Sequence, residues 1–102
     1  MTKNIENSKF YLVGGGIASL AGAAYLIKDG AVDGKNIFIF EESGATGGSL
    51  DAQKTGERGY VCRGYRMFED LVYSCTFDLF SFIPSIDNPQ KNILESFREF
   101  NK

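Results

Sequence analysis

The first part of the chain contains two short apolar runs and, between them, a longer stretch with helical spacing. The runs at 9–13 and 37–40 are apolar almost throughout, which is typical of buried parallel strands. Residues 17–28 carry apolar side chains every three or four positions, and Asp29-Gly30 then ends the pattern, with Gly30 expected in the left-handed conformation. We therefore predict a strand, a helix and a second strand, joined as a right-handed parallel crossover.

The rest of the chain predicts helices joined by loops. Residues 43–59 are rich in Gly, Ser and Thr and predict a long loop, which a short extended piece at 60–63 follows. A helix is expected from residue 66 or 67 to about 82, where apolar side chains recur at three- and four-residue steps until a proline. Asn88 precedes a second proline, which predicts that Asn88 caps a last helix.

The junction between the first strand and the first helix carries the strongest chemical signal. Gly14-Gly15-Gly16 predicts a tight turn there, and Ala18 and Ser19 lie in the first turn of the helix. Such a turn exposes backbone N–H groups at the positive end of the helix dipole, where a pyrophosphate can bind. Gly14 can adopt the backbone angles of the turn, Gly16 has no side chain to hold a phosphate away, and Ser19 stands at the third small position.

A carboxylate and a second glycine pair follow at distances that suit a dinucleotide. Glu41-Glu42 ends the second strand about 20 residues after Ser19, where an acid accepts hydrogen bonds from a ribose. Gly47-Gly48-Ser49 comes next and lets the chain approach the dinucleotide a second time. These features predict FAD binding by a partial Rossmann-like βαβ unit of α/β class. The alternative is an ordinary strand–helix turn, with both carboxylates solvated at a strand end.

Composition and charge argue against several classes of function. The 11 basic and 13 acidic residues give a net charge of −2 without a basic stripe, which argues against nucleic acid as a partner. The absence of histidine excludes Ser–His or Cys–His catalysis and a His-based metal site within these residues, and we expect no metal. No long apolar run or signal-peptide core occurs, so a cytoplasmic location is expected. Cys62 and Cys75 are expected to be reduced thiols, buried or half-buried.

The length of 102 residues is short for a doubly wound sheet, which needs several parallel strands with helices on both faces. Only two parallel strands are predicted, so we expect an incomplete domain. The predicted organisation is a loose tail at 1–8, a βαβ unit with its Gly-rich loop at 9–63, and a helical segment at 64–102. The chain is thus expected to be the amino-terminal part of an FAD-binding domain or a truncated reading frame.

Several segments from about residue 9 to 101 carry a resemblance to a known family. They are Tyr11–Ala21, Asn36–Glu42, Gly47–Asp51, Gly59-Tyr60, Arg63–Glu69, Cys75–Phe80, Ile83–Ser85 and Phe97–Asn101. Together they resemble the start of the bacterial oleate hydratases, the fatty acid hydratases once labelled myosin-cross-reactive antigens. The Gly-rich part is shared with many flavoproteins, whereas the segment Arg63-Gly64-Tyr65-Arg66 and the later helix are more specific to this family.

This resemblance implies an FAD-dependent enzyme several times longer than this chain. It would add water to the cis double bond of an unsaturated fatty acid, oleate or linoleate, and give a hydroxy fatty acid. It implies a homodimer that draws its substrate from the membrane surface, and a chain that is inactive alone. Two interpretations compete with it: a redox flavoprotein that shares only the pattern of Gly14, Glu41 and Gly48, or a non-functional truncated product.

The resemblance also implies candidate catalytic residues. Many family members have Arg-Gly-Gly-Arg-Glu-Met-Glu after the second glycine pair, and the Glu that follows the second Arg activates water. Met67 occupies that position here, and Glu69 matches the later Glu of the motif. The resemblance therefore implies either that Glu69 activates water or that a subfamily with Met67 uses another acceptor. Arg66 is expected beside the flavin edge or a carboxylate.

Overall fold

The computed structural model describes residues 7–64, 67–69 and 71–101, the side chain of Arg58 excepted. The chain forms two compact units, Met1–Tyr65 and Arg66–Lys102. The first is mixed α/β and the second is helical. The predicted tail at 1–8 falls mostly outside the described residues. The elements are β1 (Phe10–Val13), α1 (Ile17–Lys28), β2 (Ile37–Phe40), β3 (Ala52–Lys54), β4 (Tyr60–Cys62), α2 (Ser74–Phe80) and α3 (Ile93–Phe100).

The first unit contains the predicted strand–helix–strand order. β1 and β2 pair in parallel, with Phe10 opposite Ile37 and Val13 opposite Phe40. Helix α1 connects them, and both strands end at the same edge of the sheet. The Gly-rich segment after β1 therefore lies beside the segment that follows β2.

One face of this two-stranded sheet stays open. Side chains alternate between half-buried and exposed along both strands. On the exposed face, the ring of Tyr11 stacks on those of Phe38 and Phe40, with centroids 5.4 and 5.9 Å apart. Parallel sheets normally bury both faces, so this exposed aromatic face agrees with the predicted incomplete domain.

The end of α1 differs from the prediction. The residue with a left-handed backbone is Ala31, at φ 54°, and not Gly30. The backbone N–H of Val32 donates to the carbonyl of Leu26 at 3.1 Å and so closes the helix end. Gly30 is needed for a different reason: a Cβ there would lie 2.8 Å from the carbonyl oxygen of Leu26.

The predicted loop at 43–59 is wrong in its second half. β3 and β4 form an antiparallel hairpin, with Ala52 opposite Cys62 and Lys54 opposite Tyr60. β4 confirms the short extended piece predicted at 60–63. Every residue of both strands is exposed, so the backbone hydrogen bonds, and not burial, define the hairpin.

In the second unit, α2 is much shorter than the helix predicted from 66 or 67 to 82. It begins at Ser74, because the backbone of Tyr73 is not helical, at φ −96° and ψ 43°. A separate turn precedes it, in which the N–H groups of Val72 and Tyr73 donate to the carbonyl of Glu69. Leu71, part of the predicted apolar stripe, is 97% exposed. The apolar centre of the unit is instead a cluster of aromatic rings that meet mostly edge to face: Phe68, Tyr73, Phe77, Phe80 and Phe97.

Helix α3 is capped by Asn92, and not by Asn88 as predicted. The Asn92 side chain accepts a hydrogen bond from the N–H of Glu95 at 2.8 Å. Asn88 instead stabilises a turn, in which its carbonyl accepts from the N–H of Lys91 at 2.9 Å. The helix begins after Asn92, because Asn92 is extended, at φ −87° and ψ 168°, and forms a β-bridge with Pro84.

The structure also bears on the two thiols, on membrane-spanning helices and on metal-binding clusters. Cys62 and Cys75 are thiols as predicted, but both are exposed, which corrects the expected burial. Across the described ranges, no helix approaches the ~20 apolar residues that cross a bilayer. The same ranges contain no cluster of three or more Cys, Asp or Glu side chains suited to a metal ion.

Candidate functional site

The first glycine turn begins where β1 ends and is fastened to the end of β2. The N–H of Gly14 donates to the carbonyl of Phe40 at 2.7 Å. Gly14 has φ 90°, a backbone conformation that strains any residue with a side chain. Gly16 then serves as the N-cap of α1, with φ −80°. The turn therefore brings the start of α1 beside the residue that follows β2, which is Glu41.

The carboxylate of Glu41 bridges two backbone segments. Oε1 accepts from the N–H of Gly15 at 2.7 Å, and Oε2 accepts from the N–H of Ser43 at 2.8 Å. These hydrogen bonds, with Ser43 first and Gly15 second, lower the pKa of Glu41 from 4.5 to about 2; the Ser43 side chain lowers it further, and the positive charge of Arg63 adds the smallest effect. A charged carboxylate therefore stands at the mouth of the glycine turn at any ordinary pH.

The second glycine pair packs directly against the first turn. The N–H of Gly47 donates to the carbonyl of Gly15 at 2.7 Å, and Gly47 forms a parallel β-bridge with Gly16. A Cβ on Gly48 would lie 3.2 Å from the Cα of Gly16. Gly47 and Gly48 also have φ values of 112° and 58°. Both positions therefore require glycine, for backbone conformation and for close approach.

The start of α1 is open toward this site. The first N–H groups of a helix have no intrahelical partners, and no side chain caps α1 or places an acid in its first turn. Ala18 is exposed there, and the Ser19 hydroxyl lies 3.5 Å from the Val13 carbonyl, which is a long hydrogen bond. A Cβ on Gly16 would meet no protein atom within 4 Å. The turn thus offers N–H donors, the positive helix end and space for an anion.

The predicted cofactor-binding residues mostly converge at this point. The two glycine turns and Glu41 are linked by the hydrogen bonds above, and Ala18 and Ser19 lie in the first turn of α1. Ser49 belongs to a short 3-10 turn over Gly48–Leu50 and is exposed. The exposed Glu42 makes no hydrogen bond or ion pair with the described part of the chain.

The predicted catalytic residues belong to the second unit. Met67 is 89% exposed. Glu69 is also exposed, and its backbone carbonyl accepts the two hydrogen bonds that precede α2. The prediction for Arg66 lies outside the described residues.

Sequence reasoning missed Ser43 and Arg63. Ser43 holds Glu41 mainly through its backbone N–H, with a smaller effect of its side chain, so its residue type gave little signal. Arg63 acts on Glu41 through its charge. Its position depends on the β3–β4 hairpin, which the sequence pattern did not predict.

Comparison with known proteins supports the predicted resemblance. Residues 7–102 match the MCRA family. An oleate hydratase of Streptococcus pyogenes serotype M49 (strain NZ131) is 37% identical over 100 residues, which cover 98% of this chain and 17% of that protein. A linoleate hydratase of Lactiplantibacillus plantarum is 35% identical over 107 residues, which cover 92% of this chain and 19% of that protein. The chain therefore spans less than a fifth of the length of these curated relatives.

Proposed function

The chain belongs to the MCRA family, and on that premise we propose that it forms the FAD-binding part of a fatty acid hydratase. The reaction is the addition of water to the cis double bond of an unsaturated fatty acid, oleate or linoleate, to give a hydroxy fatty acid. The two relatives that support it are named oleate hydratase and linoleate hydratase. Because the chain matches only a small part of each, we expect it to be inactive without the rest of such an enzyme.

The observation that carries the FAD proposal is the meeting of three separate segments at the start of α1. Gly15 donates its N–H to Glu41 at 2.7 Å and accepts from Gly47 with its carbonyl at 2.7 Å. The open space at Gly16 and the uncapped helix end suit a diphosphate.

Glu41 can still take part in ribose binding although its two oxygens already accept backbone hydrogen bonds. A carboxylate offers about four acceptor positions, and the N–H groups of Gly15 and Ser43 use two of them. The remaining positions are available to sugar hydroxyls. The residues of this site therefore fit an adenine dinucleotide.

The chemistry of hydration sets the task of the catalytic groups. The water oxygen bonds to one alkene carbon, a proton adds to the other, and a base accepts the proton that the water loses. No net electrons move, so bound FAD would supply a shaped, polar surface and no oxidising power. Met67 has a thioether and cannot act as that base, and Glu69 is the nearby carboxylate that can. Four earlier expectations stay predictions: the place of Arg66 beside the flavin edge or a carboxylate, the homodimer, the membrane contact and the cytoplasmic location.

The test is a chimera in which this chain replaces its matching segment in the Streptococcus pyogenes oleate hydratase. We expect the purified chimera to retain FAD, seen by its visible absorption, and to convert oleate to a hydroxy acid detected by mass spectrometry. The 102-residue chain alone should give no product. The unaltered hydratase is the control for folding and assay.

The two parts of the proposal fail separately in this experiment. A folded chimera without FAD would refute the cofactor assignment, whereas a chimera with FAD and no hydroxy acid would refute the hydratase assignment. In the chimera, Glu69→Gln should lower kcat by about 10²–10⁴-fold at unchanged FAD content. Glu57→Gln, which removes an exposed carboxylate from the hairpin turn, should leave kcat unchanged.

A further inference from the structure

We propose that Arg63 supplies the positive charge that binds the diphosphate of the dinucleotide beside Glu41. This role rests on the proposed FAD binding. Three features of the first unit support the assignment: the register of the hairpin, its attachment to the second glycine turn, and the charges around Glu41.

The hairpin register places Arg63 at the end of the hairpin that joins the glycine turns. Ala52 pairs with Cys62 as the last pair of the antiparallel ladder, so Asp51 and Arg63 are the residues that directly follow this end on the two strands. Asp51 and Arg63 also line the same open pocket of about 200 Å³, together with Gln53. Lys54, by contrast, lies at the far end of the same hairpin, opposite Tyr60.

This end of the hairpin is attached to the second glycine turn. The N–H of Asp51 donates to the carbonyl of Gly48 at 3.2 Å, and a Cβ on Gly47 would lie 3.1 Å from the Cα of Asp51. Gly48 in turn packs on Gly16, at the start of α1. A continuous series of close backbone contacts therefore runs from the hairpin end to the place where the diphosphate is proposed.

A diphosphate bound beside Glu41 would require a nearby cation. A diphosphate would bring further negative charge beside a carboxylate that is already ionised, and the α1 dipole offers only about half a positive charge. After the hydrogen bonds from Ser43 and Gly15, the charge of Arg63 has the smallest lowering effect on the pKa of Glu41, which places Arg63 within electrostatic reach of that carboxylate.

Arg63 is available for this role. Its side chain is exposed, and no residue of the described ranges forms an ion pair or hydrogen bond with its guanidinium group. Lys35 and Lys91, in contrast, already pair with Asp33 and Glu99. A guanidinium group binds phosphate oxygens through two parallel N–H donors, which gives both strength and orientation.

The experiment compares Arg63→Gln, Arg63→Lys and Lys54→Gln in the chimera described above. Dissociation constants are measured for FAD, for ADP and for adenosine, which lacks phosphates. Arg63→Gln should weaken FAD and ADP about tenfold or more and leave adenosine unchanged, and Arg63→Lys should recover part of the loss. Lys54→Gln, the same loss of charge on the same hairpin, should bind all three ligands as the wild type does.

A second readout needs no ligand. In the 102-residue chain, the carboxyl carbon of Glu41 is titrated by NMR, and its midpoint should rise in Arg63→Gln and stay in place in Lys54→Gln. An unmoved midpoint would overturn the geometric premise.

The binding outcomes separate this inference from the proposed function. Wild-type affinity of Arg63→Gln for FAD and ADP would overturn the role of Arg63 and leave the FAD assignment standing. An equal loss for adenosine would also overturn it, because the diphosphate would not be the group recognised. A wild-type chimera that binds neither FAD nor ADP would overturn the FAD assignment and the role of Arg63 together.

Discussion

Replacement of Gly16 by alanine separates the requirements of the fold from those of the ligand. Gly16 has φ −80°, which alanine adopts without strain, and its Cβ would meet no protein atom within 4 Å. The fold should lose only the modest preference for glycine over alanine at an N-cap, no more than about 1 kcal/mol. A methyl group there would nevertheless stand in the space where a diphosphate approaches the start of α1. We expect the dissociation constant for FAD to rise at least about tenfold, which corresponds to ~1.4 kcal/mol.

The matched control is Gly22→Ala in the same helix. Gly22 also has no protein atom within 4 Å of an added Cβ, and it lies in the helix interior away from the glycine turn. Alanine should stabilise that position by about 0.5–1 kcal/mol and leave FAD binding unchanged. Thermal unfolding followed by circular dichroism reports on stability, and quenching of flavin fluorescence reports on binding. If Gly16→Ala binds FAD as tightly as the wild type, the space in front of α1 does not hold the ligand.

Two further predictions concern Glu41 and the start of α3. The ionised Glu41 stabilises the fold fully above its unfolded pKa of 4.5, and this stabilisation is lost as the pH falls toward about 2. The thermal midpoint of Glu41→Gln should therefore fall less over this pH range than that of the wild type. The amide resonances of Gly15 and Ser43 should titrate with a midpoint near 2, and a midpoint near 4.5 would contradict their hydrogen bonds to Glu41. Asn92→Ala should lower the free energy of unfolding, measured by urea denaturation, by about 1 kcal/mol. Asn88→Ala should lower it clearly less. A larger loss in Asn88→Ala than in Asn92→Ala would identify Asn88 as the cap.

The sequence was most informative where local chemistry and tertiary structure require the same residues. The glycines after β1, the apolar runs of the two strands and the spacing to Glu41 all follow from one parallel crossover. Because β1 and β2 end at the same sheet edge, the pattern also predicted which residues would meet. The sequence predicted only that the second glycine pair approaches the dinucleotide. The direct contact of Gly47 with Gly15 is tertiary and was not predicted.

The hairpin was missed because its strands have no buried face. Prediction of strands relies on alternating apolar and polar residues, and every residue of β3 and β4 is exposed. The long predicted helix failed for the opposite reason. Only part of its apolar stripe is buried, since Leu71 is exposed, and Phe68 reaches the aromatic cluster, including Phe97 of α3, from a non-helical segment. Periodicity cannot distinguish a ring carried by a helix from one carried by a preceding turn.

The two wrongly predicted helix ends show that contacts with residues outside the local segment outweigh local residue preferences. Gly30 and Asn88 are residue types that suit the roles predicted for them. The left-handed position fell one residue later, at Ala31, where the N–H of Val32 closes the helix end on the carbonyl of Leu26. The cap fell at Asn92, because Asn92 itself is extended and bridges to Pro84, after a turn over Asn88–Lys91. Neither competing contact is visible in the local sequence.

The hydrogen bonds that join Glu41 to Gly15, and Gly15 to Gly47, also govern how substitutions combine. Once one of these two hydrogen bonds is broken, the backbone around the other is less ordered. Breaking the second bond should then lower the free energy of unfolding by less than it does in the intact chain. Double-mutant cycles across positions 41, 15 and 47 should therefore be strongly non-additive. The effect of a substitution at any one of these three positions therefore depends on the residues present at the other two.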